Sequence, residues 1–255
     1  MSVKIGIQGL AASYSDAALL ETAGHATKVF CDSFSDVFAA LGDGRIDKGF
    51  LPFENSTAGF VGENYQLLQN SGLYVTEEYL HRVEHCLLGP KGSSINDVQL
   101  VISHPQALLQ CSRFLKDHGL RTEPYFDTAG AARDIARQRG KGAVASLRAA
   151  QLYGLEVLKQ NINDEPVNWT RFLTIEKHLV WGKRAIFSCP SQDFQALMAD
   201  LPNFRFVSVL SQPIQTETWG HRYYIELGSE STSAWKDLTT RHRSLKVLGS
   251  FEGKR

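Results

Sequence analysis

The feature of this sequence that most constrains its fold is the regular alternation of short apolar segments with amphipathic ones. Val3–Ile7 and Lys28–Cys31 have the pattern of strands, and each is followed by a helical segment, Asp16–Ala23 and Ser35–Leu41. A third strand leads into a polar loop, Pro52–Gly59. This alternation predicts an α/β fold, whose sheet binds its ligand at the loops that follow the strands.

The rest of the chain continues the pattern and then changes it. A second α/β lobe is expected over residues 77–165, and the strand Thr170–Glu176 is expected to return to the first lobe. From Arg184 onward the order becomes β-α-β-β-α-β, which is typical of a helical layer on a four-stranded sheet. We therefore predict a two-lobed domain at 1–180, with lobe 1 at 1–76 and 166–180, and a smaller domain at 184–255.

Charge and cysteine content exclude several classes of protein. The 27 basic residues balance the 27 acidic ones, so binding of nucleic acid through net charge is not expected. The four cysteines, Cys31, Cys86, Cys111 and Cys189, are far apart in sequence, which argues against structural zinc and favours a reducing compartment. No run of 18 apolar residues occurs, and we expect a soluble cytoplasmic protein.

Two polar segments in the first lobe are candidate binding sites. Ser13 and Ser15 lie at the start of the first helix, which Ser15 is expected to cap, and hydroxyl and free N–H groups there favour a carboxylate. The alternative is a tight turn, since Gly6-Ile-Gln-Gly9 lacks the third glycine of a dinucleotide-binding motif. The second segment is either a turn or a ligand site, and it consists of Glu54, Asn55, Ser56 and Thr57.

Three further polar segments occupy comparable positions later in the chain. Ser103, His104 and Gln110 follow a strand of the second lobe, although His104 on its own suits the start of a helix. Asp127-Thr128 is most simply a helix N-cap. Thr170-Arg171 suits a hydroxyl beside a bound anion, and equally an edge-strand threonine beside a surface arginine.

A histidine pair, His81 and His85, has the spacing of metal ligands on a helix, but it falls in strand-like sequence. Four residues along a strand separate two side chains by about 13 Å. Metal binding by this pair is therefore not expected.

Five motifs in register give the sequence a specific resemblance to the prephenate dehydratase family. They are Gly6-x-x-Gly-x-x-x-Ser-Tyr-Ser15, Leu51-Pro-Phe-Glu-Asn-Ser-Thr-Ala-Gly59, Ser103-His-Pro-Gln-Ala-Leu-Leu-Gln-Cys111, Asp127-Thr-Ala-Gly-Ala-Ala132 and Asn168-x-Thr-Arg-Phe-Leu173. The match extends over about residues 3 to 176, and the tail resembles the ACT regulatory domain of that family. The motif at Asp127 and the terminal Val247–Phe251 look closest to the branch that uses arogenate.

The resemblance implies an α/β fold like that of type II periplasmic binding proteins, with a catalytic cleft between two lobes. It implies conversion of prephenate to phenylpyruvate, water and CO2 without a cofactor or a metal, because formation of the aromatic ring drives the reaction. Thr170 then resembles the hydroxyl that assists departure of the ring hydroxyl, and Arg171 the partner of a substrate carboxylate. The residues that resemble cleft residues orienting the substrate are Asn55, Ser103, Gln110 and Thr128, with Glu54 supporting them, and Ser13, Ser15, Ser56 and Thr57 binding it.

The tail departs from the family pattern where phenylalanine would bind. The family has Gly-Ala-Leu and Glu-Ser-Arg-Pro, whereas this chain has Gln192-Asp-Phe194 and Leu210-Ser-Gln-Pro213. Loss of both charged groups predicts weak or absent feedback by phenylalanine. Phe60, where the family usually has a small residue, bears on the shape of the cleft.

Three other functions stay open at this stage. They are an arogenate dehydratase, a prephenate decarboxylase that keeps the hydroxyl, and a non-catalytic protein that binds a small molecule. Pairing of tails predicts a homodimer or tetramer, by analogy with the family alone.

Overall fold

The computed structural model describes residues 2–215 and 219–253, so residues 1, 254 and 255 at the ends of the predicted domains lie outside it. Over the described ranges, strands and helices form two separate sheets with helices packed against them. The predicted two-lobed α/β fold is confirmed.

Lobe 1 begins with alternating strands and helices, as the sequence predicts. Its first elements are β1 (Lys4–Gln8), α1 (Tyr14–Ala23), β2 (Thr27–Cys31), α2 (Phe34–Gly42), β3 (Lys48–Asn55), β4 (Gly59–Phe60), α3 (Gly62–Ser71) and β5 (Tyr74–Arg82). β1 pairs in parallel with both β2 and β3. The expected loop Pro52–Gly59 is wrong in its first half, because β3 continues through Asn55. The cap of α1 is Ser13 and not Ser15, since Ser13 Oγ accepts from the N–H of Asp16.

Lobe 2 is built on the smaller sheet, and it begins later than the expected residue 77, because β5 continues to Arg82 in the sheet of lobe 1. Its elements are β6 (Cys86–Gly89), β7 (Leu100–Ser103), α4 (Pro105–Leu109), α5 (Ser112–Asp117), β8 (Arg121–Pro124), α6 (Thr128–Ile135), β9 (Lys141–Ala145), α7 (Leu147–Tyr153) and β10 (Glu156–Lys159). The strand order is β10-β6-β9-β7-β8. α4 and α5 are separate helices, because the helix is interrupted between Leu109 and Ser112, and Gln110 lies at that interruption.

The chain then returns to lobe 1 through β11 (Trp169–Glu176). This strand lies antiparallel between β3 and β5, where Thr170 is opposite Asn55 on one side and His81 on the other. The predicted return of Thr170–Glu176 to the first lobe is therefore confirmed. The two segments that connect the lobes, one after β5 and one before β11, lie side by side. The N–H of Val83 in the first donates to the carbonyl of Asn168 in the second.

The tail has the predicted β-α-β-β-α-β order. Its elements are β12 (Arg184–Pro190), α8 (Ser191–Met198), β13 (Arg205–Gln215), β14 (Trp219–Gly228), α9 (Ser233–Arg241) and β15 (Lys246–Phe251). Trp235 and Phe187 are fully buried in its hydrophobic core. Its four strands pair antiparallel in the order β13-β14-β12-β15.

The tail sheet is continuous with the sheet of lobe 1. Gly249 on β15 pairs with Val75 on β5, which gives one ten-stranded sheet. A Cβ at Gly249 would lie 2.4 Å from the backbone nitrogen of Val75, so only glycine permits this approach. Within the described residues, no helix has the length and apolarity needed to cross a membrane.

Candidate active site

A cleft between the two lobes brings together most of the polar residues that the sequence singled out. Its cavity measures about 270 Å³. The predicted residues that line it are Ser13, Ser15, Asn55, Gln110, Thr128 and Thr170. These residues come from the start of α1, the end of β3 and the start of β11 in lobe 1, and from the end of α4 and the start of α6 in lobe 2, so the cleft exists only when both lobes are in place.

Thr170 and Asn55 form the polar pair on the lobe 1 side. They are opposite each other on β11 and β3, and Asn55 Nδ2 donates to Thr170 Oγ1 at 3.0 Å. Because Thr170 accepts in this bond, its own hydroxyl proton is not used there. The pair can therefore present that proton to a group bound in the cleft.

The orientation of Asn55 is fixed by its other bonds. Its Oδ1 accepts from the N–H groups of Thr57 and Ala58 at 3.0 and 2.8 Å. Its Nδ2 also donates to Asn168 Oδ1 at 2.7 Å. A reversed amide would place donors against donors, so Asn55 must present its NH2 group to Thr170.

Gln110 connects this pair to lobe 2. Gln110 Oε1 accepts from Asn168 Nδ2 at 3.0 Å and is 2.8 Å from His85 Nε2. Gln110 Nε2 donates to the hydroxyl of Thr57. The acceptor character of Gln110 Oε1 requires that His85 carry its proton on Nε2.

His85 continues the chain of bonds to Tyr14 at the start of α1. With Nε2 protonated, His85 Nδ1 accepts from the Tyr14 hydroxyl at 2.7 Å. Burial lowers the pKa of His85 and raises that of Tyr14, so both groups stay neutral near pH 7. Gln110 Nε2 also donates to Asn55 Oδ1 at 3.4 Å, so Tyr14, His85, Gln110 and Asn55 form a directed relay of hydrogen bonds that ends on Thr170.

The start of α1 gives one wall of the cleft a positive character. Ser13, Tyr14 and Ser15 line the cleft, and the positive end of the helix dipole faces it. Asp16 in the same turn is buried and paired with Lys28 at 2.5 Å and Arg148 at 3.0 Å. Two cations thus compensate one carboxylate.

The start of α6 has the opposite character. Its cap is Asp127, whose Oδ1 accepts from the N–H of Gly130 at 2.5 Å, and both Asp127 and Thr128 line the cleft. Asp127 Oδ2 is buried and has no hydrogen-bond partner among the described residues. Here a side-chain carboxylate already occupies the helix terminus.

Arg171 does not reach the cleft. Neighbouring residues on a strand point to opposite faces, so Thr170 faces the cleft while Arg171 faces the tail. Its guanidinium binds Glu54 at 2.9 Å, Glu78 at 2.8 Å and Glu226 at 2.7 and 2.9 Å. With three carboxylates around it, Arg171 is not placed to bind a substrate carboxylate, and Glu54 supports Arg171 rather than the cleft.

The three other predicted residues lie behind or beside the cleft. Ser103 is fully buried and donates to the carbonyl of Val144 at 2.6 Å, which joins β7 to β9. Ser56 accepts from the N–H of Trp169 at 2.9 Å and so fixes the start of β11. Thr57 lines a second cavity of about 250 Å³ on the far side of Gln110.

Sequence reasoning missed Tyr14, His85 and Asn168 as site residues. Asn168 and Tyr14 stand inside the quoted motifs, next to residues that were chosen, so the signal was present. His85 has no local signal, because its partners are 71 and 25 residues away. No group of three or more His, Cys, Asp or Glu suited to a metal occurs in residues 2–215 and 219–253.

Comparison with known proteins gives a family match over most of the chain. The family model described as prephenate dehydratase matches residues 5–179. Arogenate dehydratase 2 of Petunia hybrida is 37% identical over 228 residues, which cover 84% of this chain and 58% of the relative. This chain spans about half the length of the first curated relatives that it matches.

Solved structures match the tail as well as the lobes. A structure described as GqqA, a novel type of quorum quenching acylases, has a TM-score of 0.85 at 28% identity and covers 98% of both chains. The prephenate dehydratase from Arthrobacter aurescens in complex with L-Phe has a TM-score of 0.89 at 20% identity, covering 98% of this chain and 90% of its own. The second likeness concerns the fold alone.

Proposed function

The chain belongs to the prephenate dehydratase family, and on that basis we propose that it removes water and CO2 from prephenate, giving phenylpyruvate, or from its amino counterpart arogenate, giving phenylalanine. The observation that carries this proposal is the bond from Asn55 Nδ2 to Thr170 Oγ1. It leaves the hydroxyl proton of Thr170 available to a leaving group in the cleft.

The reaction requires an acid at one position and a path for CO2 at another. The bond from the ring to the carboxylate breaks, its electron pair enters the ring, and the ring hydroxyl leaves. Thr170 gives its proton to that hydroxyl, which departs as water, and later regains a proton from solvent. The N–H of Asn55 stabilises the negative charge that develops on Thr170 Oγ1 during this transfer.

Substrate carboxylates must be bound without an arginine or lysine. None of the described residues that line the cleft is Arg or Lys. The start of α1, with Ser13, Ser15 and the first amide groups of the helix, supplies donors for a carboxylate. A formally neutral protein can therefore bind a small dianion through local donors.

Turnover by Thr170 variants tests the proposal. Thr170→Ala should lower kcat by at least about a hundredfold, the usual contribution of general acid catalysis, while Thr170→Ser keeps most of it. Thr174→Val, on the same strand but outside the cleft residues, is the matched control. If Thr170→Ala turns over at the wild-type rate, the assignment of the acid is wrong.

Product analysis separates the alternative functions. An aromatic product, phenylpyruvate or phenylalanine, supports dehydration. A non-aromatic decarboxylated acid would identify a prephenate decarboxylase, and no product with measurable binding would identify a binding protein.

A second candidate, cleavage of an acylated amine, is raised by the whole-chain match to a structure described as an acylase. Such a reaction needs an activated nucleophile. Among the described cleft residues, His85 is bonded to Tyr14 and Gln110 rather than to a serine or cysteine. A relative from Komagataeibacter europaeus is named bifunctional N-acyl-homoserine lactone acylase/prephenate dehydratase. The geometry favours dehydration, and we expect this chain to release no homoserine lactone from an N-acyl-homoserine lactone.

We further propose that the tail is an ACT-like regulatory domain through which the protein forms a dimer or tetramer. The β-α-β-β-α-β order supports the domain assignment. β13 is an edge strand whose Phe206 and Val209 are 50% and 40% exposed, which suits pairing with a second copy. Gln212 stands where the family has an arginine, and it donates to the carbonyl of Gly62 in lobe 1. Because this charged partner for phenylalanine is missing, we propose that phenylalanine inhibits weakly or not at all.

The proposed location is the cytoplasm. The four cysteines are free, and three of them are buried, which is compatible with a reducing compartment.

A further inference from the structure

The turn before α1 belongs to lobe 1 in sequence, but it packs into lobe 2. Ala12 is 1% exposed, and the other buried residues of its hydrophobic cluster, which include Ala131 and Ala149, come from lobe 2. The φ angle of Ala12 is 68°, in the left-handed region that residues other than glycine rarely adopt. Such a conformation persists only where surrounding contacts impose it, and here those contacts come from the other lobe.

Two hydroxyl groups at the ends of α7 hold the carbonyls of this turn. Ser146 Oγ donates to the carbonyl of Ala12 at 3.0 Å, and the Tyr153 hydroxyl donates to the carbonyl of Ala11 at 2.9 Å. Ser146 also caps α7, because its Oγ accepts from the N–H of Ala149 at 3.1 Å. The backbone of the turn is therefore fixed on both ends of α7.

An ion pair adds a third bond between α7 and the first turn of α1. Arg148 Nε donates to Asp16 Oδ2 at 3.0 Å, and the N–H of Ala12 donates to the same oxygen at 2.8 Å. Asp16 thereby joins the turn and α7 through one oxygen. We call Ser146, Arg148 and Tyr153 together the α7 clamp.

The residues that follow the turn are residues that line the cleft. Ser13, Tyr14 and Ser15 come directly after Ala12, and all three line the cavity between the lobes. The α7 clamp is not among the described residues that line this cavity. Because the turn is fixed on lobe 2, the amide groups at the start of α1 have a defined position relative to the lobe 2 side of the cleft.

We propose that the α7 clamp is a set of positioning residues, which hold the start of α1 in the place where it binds a substrate carboxylate. This inference rests on the proposed function, which assigns that carboxylate to Ser13, Ser15 and the first amide groups of the helix. A loosened turn lowers the apparent affinity for substrate by the fraction of molecules in which the turn is in place. Bound substrate keeps the turn in place, and strand pairing sets the positions of Thr170 and Asn55, so the chemical step should be unchanged.

Steady-state kinetics of the double variant Tyr153→Phe/Arg148→Met test this role. The variant removes two bonds of the clamp and keeps most of the volume of both side chains. KM for prephenate or arogenate, whichever the wild type converts faster, should rise at least about fivefold, while kcat stays within about twofold of the wild type. A merely structural role would lower the amount of folded enzyme, and hence the apparent kcat, and would leave KM unchanged.

Two further variants make the comparison specific. Arg148→Gln in place of Arg148→Met should restore part of the affinity, because a glutamine Nε2 can stand where the arginine Nε donates. Gln151→Met, at an exposed position of the same helix, is the matched control and should keep the wild-type KM. If the double variant does not fold, Tyr153→Phe and Arg148→Met as single variants carry the same test.

Amide hydrogen exchange of the free protein tests the clamp without turnover. The amides of residues 10–17 should exchange faster in the double variant than in the wild type, while those of β1 keep their rates. An unchanged KM in the double variant, an equal rise of KM in Gln151→Met, or unchanged exchange over residues 10–17 overturns the inference. A wild type that converts neither substrate overturns the proposed function instead, and the exchange rates over residues 10–17 then still decide whether the clamp holds the turn.

Discussion

Replacement of Glu226 by glutamine should destabilise the protein far more than the loss of an ordinary surface ion pair. Glu226 belongs to the tail, and its carboxylate receives two bonds from Arg171 at 2.7 and 2.9 Å and another from Arg184. The side chains of Arg171 and Glu226 are 9% and 3% exposed. The glutamine would turn an NH2 group toward a guanidinium and leave Arg171 with fewer buried acceptors.

The expected loss is about 3 kcal/mol, the lower end for breaking a buried ion pair, because Glu54 and Glu78 still hold Arg171. Urea unfolding of wild type and variant measures it. Asp43→Asn, which removes an exposed pair with Arg45, should cost less than about 1 kcal/mol. Equal midpoints for the two variants would refute the view that this cluster joins the tail to lobe 1.

Two further predictions concern the cleft and the neighbouring α1 turn. His85→Leu should lower kcat about tenfold, because Gln110 loses the N–H donor of His85. His85→Gln can still donate to Gln110 and should retain most activity. Equal kcat values for the two variants would contradict the relay. Burial alone would raise the pKa of Asp16, but hydrogen bonds from Lys28, Ala12 and Arg148 lower it below 3.8. Ionised Asp16 therefore stabilises the folded state fully above the pKa that Asp16 has in the unfolded chain, and this stabilisation is lost as the pH falls through its pKa in the folded protein. The free energy of unfolding should accordingly fall less steeply between about pH 5 and about pH 3 in Asp16→Asn than in the wild type.

Much of the fold was predictable because periodicity is local, and some of the site was predictable because motifs are local. The predicted strand Thr170–Glu176 lies within β11, and the predicted helix Asp16–Ala23 lies within α1. The carboxylate partners of Arg171 were not predicted from the sequence. The alternation of side chains along a strand nevertheless indicates that Arg171 and Thr170 lie on opposite faces of the sheet. His85 could not be found, since only the folded chain brings it to Tyr14 and Gln110.

The reading of Pro52–Gly59 as a loop has a different cause. Proline normally marks the end of a strand, because it has no N–H to donate. Here Pro52 lies opposite Phe172, where the register between β3 and β11 shifts, so the missing donor coincides with a bulge. The strand thereby continues to Asn55, which is how this residue comes to face Thr170.

The position of β11 between β3 and β5 has a consequence for synthesis on the ribosome. β3, β5 and all of lobe 2 leave the ribosome before β11 does. Until β11 is made, β3 and β5 each have an edge without the strand that pairs with it in the finished sheet. Lobe 2 can complete its own sheet during that interval, whereas lobe 1 must wait. The strand that carries the proposed acid is therefore also the one that closes lobe 1, and a chain released before residue 169 has neither.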